Sequence, residues 1–168
     1  MPFSLIPDRV FDKYSDITAQ MLHDRGVKLL LCDLDYTLAP RSVSVPDEAL
    51  HRWLDELKSA EICVMILSNN RSDERVNTFC QDLGIRYVGH AEKPSRRGYR
   101  EAMQKAGVTA EETAMLGDKL LTDVLGAKRS GVLALMVEPL GGPVGAWNHV
   151  LHLLQRPFKF ISKRRFQK

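Results

Sequence analysis

The stretch from Val27 to Pro40 restricts the fold most. An apolar run, Leu29-Leu30-Leu31-Cys32, leads straight into Asp33 and Asp35. Such a short, unbroken run marks a strand buried on both faces, as in a parallel sheet. Carboxylates are costly to bury at its end unless a cation or hydrogen bonds compensate them. Acids at alternate positions of an extended chain point the same way. The strand therefore carries paired carboxylates to its C-terminal edge, where open α/β sheets bind ligands. Two readings follow for Asp33 and Asp35: solvated acids in a turn, or part of a metal-assisted phosphoryl-transfer site. The rest of the chain decides between them.

Strands and helices alternate along the sequence. Residues 8–25 have helical periodicity, with Asp8 as a cap and Val10, Phe11, Tyr14, Ile17, Met21 and Leu22 on one face. After a loop, Pro46 and Asp47 open a helix whose stripe is Leu50, Trp53, Leu54 and Leu57. Residues 62–67 read as a second buried strand, ending in Ser68, Asn69 and Asn70. A helix through Val76, Phe79, Cys80 and Leu83 stops at Gly84. Residues 85–88 form a short strand before Lys93 and Pro94, and residues 97–106 a helix closed by Gly107. The strand 113–116 runs into Gly117, Asp118 and Asp123. A helix over 121–130, a strand over 132–137, a glycine-rich link and a helix over 147–156 complete the pattern. This alternation predicts one Rossmann-like, three-layer α/β/α domain with a central parallel sheet of about five strands. A chain of 168 residues is long enough to bury such a core.

The net charge of +3 hides an asymmetry. Residues 156–168 hold Arg156, Lys159, Lys163, Arg164, Arg165 and Lys168 and no acid. That leaves 18 of the 24 basic residues against all 21 acids in the remainder. The division is thus a domain over 1–155, with its core at 27–137, and a basic tail over 156–168 interleaved with Phe158, Phe160, Ile161 and Phe166. Aromatic and basic residues together suit an anionic membrane surface; a solvated terminus and nucleic-acid binding are the other readings. Cys32, Cys63 and Cys80 lack metal-type spacing and read as reduced core residues, which points to the cytoplasm. No signal peptide and no membrane-length apolar segment is evident. The five histidines lack ligand spacing. Trp147 and His149 near the glycine-rich link, and Lys119 beside Asp118, are further candidates for the site's border. Lys119 reads first as a solvated lysine.

In a parallel sheet all C-terminal strand ends face one side, so Asp33, Asp35, Thr37, Ser68, Asn69, Lys93, Asp118 and Asp123 converge. A carboxylate can attack phosphorus. Carboxylates around it need a hard cation with oxygen ligands, such as Mg²⁺. Hydroxyl and ammonium donors stabilise the transferring oxygens. No Gly-x-x-x-x-Gly-Lys-Ser/Thr loop is present, which excludes a P-loop nucleotide site.

These residues give the chain its resemblance to the haloacid dehalogenase superfamily of phosphatases. Asp33-Leu34-Asp35-Tyr36-Thr37 resembles its D-x-D-x-T motif. Ser68, Lys93 and Gly117-Asp118 with Asp123 resemble its other three. The resemblance implies Asp33 as nucleophile and metal ligand. It implies Asp35 as general acid and then base, with its carbonyl on the metal. Asp118 and Asp123 would bind or support the metal, and Thr37, Ser68, Asn69 and Lys93 would hold phosphate. Within the superfamily the chain looks like the bacterial YqeG branch, which is similar to the phosphatidylglycerophosphate phosphatases. Tyr36 departs from the Asn usual in that motif.

Relatives carry a cap domain after the first motif or between the second and third. Here each gap has room only for a helix and a strand, so no cap domain is expected and the site should be open. The reading is a Mg²⁺-dependent phosphomonoesterase working through an aspartyl phosphate on a phosphorylated lipid headgroup. It would be cytoplasmic, with peripheral contact at the inner face of the membrane through the tail. A small sugar or nucleotide phosphate is the alternative substrate. A catalytically idle domain that binds RNA, ribosomes or membrane is the alternative class. Arg41, Arg71 and Arg96, just beyond strand ends, are candidates for a second substrate phosphate.

Overall fold

Alternate residues of each central strand feed two separate cores, one on each face of a single sheet. A computed structural model describes residues 5–70, 73–142 and 146–165. Its strands are β1 (Arg9–Phe11), β2 (Leu29–Cys32), β3 (Cys63–Leu67), β4 (Arg86–Val88), β5 (Thr113–Gly117) and β6 (Leu133–Val137). They pair in parallel in the order β1-β6-β5-β2-β3-β4. Leu30, Cys32, Val64, Ile66, Ala114 and Leu116 face one core; Leu29, Leu31, Met65, Leu67 and Met115 face the other.

The helices cover both faces. On the first lie α1 (Ala19–His23), α2 (Glu48–Ser59) and α3 (Asp73–Leu83), represented by Leu22, Trp53 and Phe79. On the second lie α4 (Arg96–Ala106) and α5 (Leu125–Ser130), represented by Tyr99 and Ala127. Local signals start and stop them. The Asp47 carboxylate accepts from Leu50 N at 2.8 Å to cap α2. Gly107 ends α4 at φ 70°. A wide π-type turn, Leu120–Val124, precedes α5. The last helix, α6 (Ala146–Arg165), packs beside β1.

The chain runs outward from β2 through β3 to β4, then returns to β5 on the other side of β2. The reversal lies between β2 and β5, where a doubly wound sheet opens its ligand crevice. Asp33 follows β2 and Asp118 follows β5, so both flank that crevice.

Three expectations are corrected. The sheet has six strands, because the segment 8–25 is not one helix. It forms β1, a 3-10 turn at Tyr14–Asp16 and the short α1. The Asp8 carboxylate accepts from Ala134 N at 2.7 Å and pairs with Lys128, which fastens a strand to β6 instead of capping a helix. The helical cap is Thr18, whose hydroxyl accepts from Met21 N at 3.2 Å. Lastly, the final helix does not end at 156. It continues to Arg165 because Lys159 reaches Glu138 at 2.6 Å and Phe158 packs on the second core.

Cys32 and Cys80 are buried and all three cysteines are free. Among the described residues no helix is long and apolar enough to cross a membrane. Arg71, Pro143, Gly145, Phe166 and Lys168 lie outside the described residues, as do the side chains of Trp147, His149, Lys163, Arg164 and Arg165.

Candidate active site

Three buried acids meet at the crevice. Oxygens of Asp33, Asp118 and Asp123 all lie within 4.8 Å of one another. The ends of β2 and β5 deliver the first two. The turn after β5 brings the third back against the sheet. Gly117 makes that return possible: a Cβ there would sit 2.3 Å from the Asp123 carboxyl carbon. Tyr99 fixes the same turn by donating its hydroxyl to the Asp123 carbonyl at 3.0 Å.

Two lysines compensate the acids. Lys93 Nζ stands 2.7 Å from Asp33 Oδ1 and 2.7 Å from Asp123 Oδ1. Lys119 Nζ stands 2.7 Å from Asp118 Oδ1 and 3.5 Å from Asp33 Oδ2. The Lys119 N–H donates to Asp123 Oδ2 at 3.0 Å. Lys119 is therefore part of the charge network, with its side chain still 41% exposed at the cleft.

The network separates the acids' proton affinities. Burial pushes Asp33 up, but the Lys93 and Lys119 ammoniums outweigh it and hold its carboxyl below the usual range. Burial pushes Asp118 up to about 6; Lys119 opposes this, and Asp33 and Asp123 add to it. Asp123 is also raised, by burial first and by the Asp33 charge, against Lys93 and Lys119. Burial acts to lower Lys93, and Asp123 and Asp33 reverse this and raise it. Asp33 is thus the member of the group most strongly held as an anion, with an ammonium near each of its oxygens.

Other predicted residues take up different positions. Asp35 is partly exposed and accepts from Arg75 Nε at 3.1 Å. Arg75 also donates to the carbonyls of Pro40 and Val43, so it ties the loop after β2 to α3. Arg41 Nε lies 4.0 Å from Asp35 Oδ2. Thr37 is buried beneath the crevice, its hydroxyl 3.4 Å from Asp118 Oδ1. Ser68 Oγ accepts from Asn70 N at 3.0 Å. The Asn69 carboxamide exchanges two hydrogen bonds with the Lys93 backbone, at 2.7 and 2.8 Å, and so latches the Lys93 loop to β3. Tyr36 holds φ 67°, a left-handed conformation that Asn adopts more readily. Its ring lies 5.9 Å from Lys119 Nζ.

Together these groups line an open cleft of about 530 Å³: Asp33, Asp35, Tyr36, Arg41, Ser68, Asn69, Asn70, Lys93, Lys119 and Thr122. Among the described residues a loop alone joins β2 to α2, and α3 alone joins β3 to β4, so neither gap shows a further domain. Arg96 is exposed at the start of α4 and does not line the cleft. His23 faces the Ala60 carbonyl at 2.7 Å and His51 faces Asp82 at 2.9 Å, both on the surface. Arg75 is not legible in the sequence, because a lone arginine on a helix 40 residues beyond Asp35 carries no local signal.

The donor set fits a divalent cation. Three carboxylates converge without sulfur or imidazole, the oxygen chemistry that hard ions such as Mg²⁺ prefer.

A family model described as haloacid dehalogenase-like hydrolase matches residues 18–131, which span β2 to α5 and every acid of the cluster. The chain belongs to this family. As a haloacid dehalogenase-like hydrolase it is an enzyme by class. It is 34% identical over 160 residues to the probable phosphatase YqeG of Bacillus subtilis (strain 168), covering 95% of this chain and 92% of that protein. It is 27% identical over 136 residues to the chloroplastic/mitochondrial phosphatidylglycerophosphate phosphatase 1 of Arabidopsis thaliana. That match covers 72% of this chain but only 37% of the plant protein. Among solved structures, the cobalt-bound deoxy-D-mannose-octulosonate 8-phosphate phosphatase of Haemophilus influenzae superposes with a TM-score of 0.55 at 20% identity. The superposition covers 86% of this chain and 98% of that one, and it shows the shared fold.

Proposed function

We propose that this haloacid dehalogenase-like hydrolase is a Mg²⁺-dependent phosphomonoesterase that works through an aspartyl phosphate on Asp33. The observation that carries the reading is the Asp33 carboxylate at a cleft wall, held by Lys93 at 2.7 Å and grouped with two more acids. Asp33 attacks phosphorus, and the bond to the ester oxygen breaks. Asp35, partly exposed in the cleft, gives its proton to the departing oxygen. It then takes a proton from the water that displaces phosphate from Asp33. Lys93 and Ser68 face the transferred phosphoryl oxygens. Asn69 contributes by positioning Lys93, and Thr37 by supporting Asp118. Asp33, Asp118 and the Asp35 carbonyl, with Asp123 behind them, would hold the cation. Once bound, the cation supplies positive charge that lets a phosphate dianion approach the carboxylates.

The substrate reading is a phosphorylated lipid headgroup. Support comes from the cleft's openness and from Arg41 and Lys119 at its border, where a second anionic group fits. The similarity to a phosphatidylglycerophosphate phosphatase points the same way. Residues 1–155 are read as the catalytic unit, without a cap domain. The test is hydrolysis of a chromogenic aryl phosphate with and without Mg²⁺, in wild type and Asp33→Asn. Equal background rates in both proteins would end the enzymatic reading. A panel containing phosphatidylglycerophosphate in mixed micelles beside soluble sugar and nucleotide phosphates then tests the substrate class.

A further inference from the structure

The helix α6 is turned the wrong way for one that serves only the fold. A helix lying on a sheet ordinarily buries its apolar stripe and leaves its polar side in water. Among the described side chains of α6 the fully buried ones are Gln155, Lys159 and Ser162, with Phe158 partly buried beside them. The stripe Val150, Leu153, Leu154, Pro157 and Ile161 faces out, at spacings i, i+3, i+4, i+7 and i+11. Its four large members are each 42% exposed or more. Lys159 is tolerated inside because Glu138 meets it at 2.6 Å. A continuous apolar strip of this kind on a protein surface marks an interface.

Charge identifies the occupant. No acid occurs anywhere after Glu138, while five basic residues besides the buried Lys159 follow, the first of them the exposed Arg156. Pairing this face with its copy in a second chain would set like charges against each other. An anionic lipid surface answers both features, taking the apolar strip at the headgroup boundary and the cations at its phosphates. We infer that α6 docks the enzyme on an anionic bilayer through Val150, Leu153, Leu154 and Ile161. Glu138 directly follows β6, so the Lys159 contact ties this helix to the same sheet edge that carries the site. The inference goes beyond the proposed chemistry and holds whichever ester is hydrolysed.

The test is co-sedimentation of the full chain with phosphatidylcholine vesicles that contain phosphatidylglycerol, against pure phosphatidylcholine vesicles. Wild type should pellet with the anionic vesicles only, and less so as salt rises. The triple variant Leu153→Gln/Leu154→Gln/Ile161→Gln should bind about tenfold more weakly or worse. Its unfolding midpoint and its aryl phosphate turnover should match wild type. Failure of wild type to bind anionic vesicles would overturn the inference, as would binding that the triple variant leaves unchanged. A wild-type dimer in solution that the same variant dissolves, without vesicle binding, would assign the face to a second copy and overturn it too. Asp33→Asn should bind vesicles like wild type, which separates this inference from the catalytic one.

Discussion

Replacing Lys93 by methionine removes the charge at the centre of the acid cluster while keeping most of the side chain's volume. The Lys93 side chain is 2% exposed, and its ammonium touches Asp33 and Asp123 at 2.7 Å each, so solvent screens neither contact. Breaking a buried ion pair by removing one partner costs about 3–5 kcal/mol, because the remaining charge stays buried. With about 2.1 cal/mol/K of unfolding entropy per residue, a chain of 168 residues loses about 11 °C of midpoint for about 4 kcal/mol. The loss depends on pH in a defined direction. Without the ammonium, burial raises the folded-state affinities of Asp33 and Asp123 for protons above their unfolded values. Stability tied to a raised acid is present at low pH and falls as pH rises through the folded value. The deficit of Lys93→Met should therefore be largest near neutral pH and shrink toward about pH 5. Added Mg²⁺ should recover part of it. Thermal unfolding followed by circular dichroism at both pH values measures this. A neutral-pH midpoint within about 2 °C of wild type would refute the reasoning, and so would a deficit that does not change with pH.

Other perturbations probe the same arrangement. Gly117→Ala places a methyl group where Asp123 lies, so it should lower turnover more than about tenfold and weaken Mg²⁺ binding, read by titrating activity with the cation. Arg75→Ala frees the loop that carries Asp35. It should reduce kcat about tenfold or more while changing the unfolding midpoint little, because the ion pair is only part-buried. In the cation-free protein Asp118 is raised to about 6, so the stability it contributes is lost as pH climbs through that value. A cation held by these acids would displace that proton, so an Mg²⁺-induced rise in midpoint should be large above about pH 6 and fade below it, as a thermal-shift series over pH would record.

The central sheet was legible because its strands are short and wholly apolar, and because each ends in a residue type that carries chemistry. Leu29 to Cys32 followed by Asp33, and Ile62 to Leu67 followed by Ser68, pinpoint both the element and its functional edge. The N-terminal segment was not legible. The pattern Val10, Phe11, Tyr14, Ile17, Met21, Leu22 fits a helix, and it fits equally well a strand, a turn and a short helix that share one core. The choice rests on Asp8 meeting Ala134, 126 positions away, which no local window contains. The role of Lys119 is hidden in the sequence for a related reason. A lysine beside an acid is usually solvated, and only the return of Asp123 under Gly117 draws this one into the cluster. The end of α6 is obscured because its basic residues read as a tail, whereas Glu138 supplies a partner that makes Lys159 a buried helical residue.

The most direct measurement of the central claim is the site of phosphorylation in Asp35→Asn, in which attack on the ester is slowed less than release of phosphate. Incubated with an activated aryl phosphate and Mg²⁺, quenched in acid and digested, this variant should carry one phosphoryl group on the peptide containing Asp33, and none when Asp33 is also changed to Asn. Turnover by Asp33→Asn at the wild-type rate, or a phosphoryl group found on any other residue, would contradict the account.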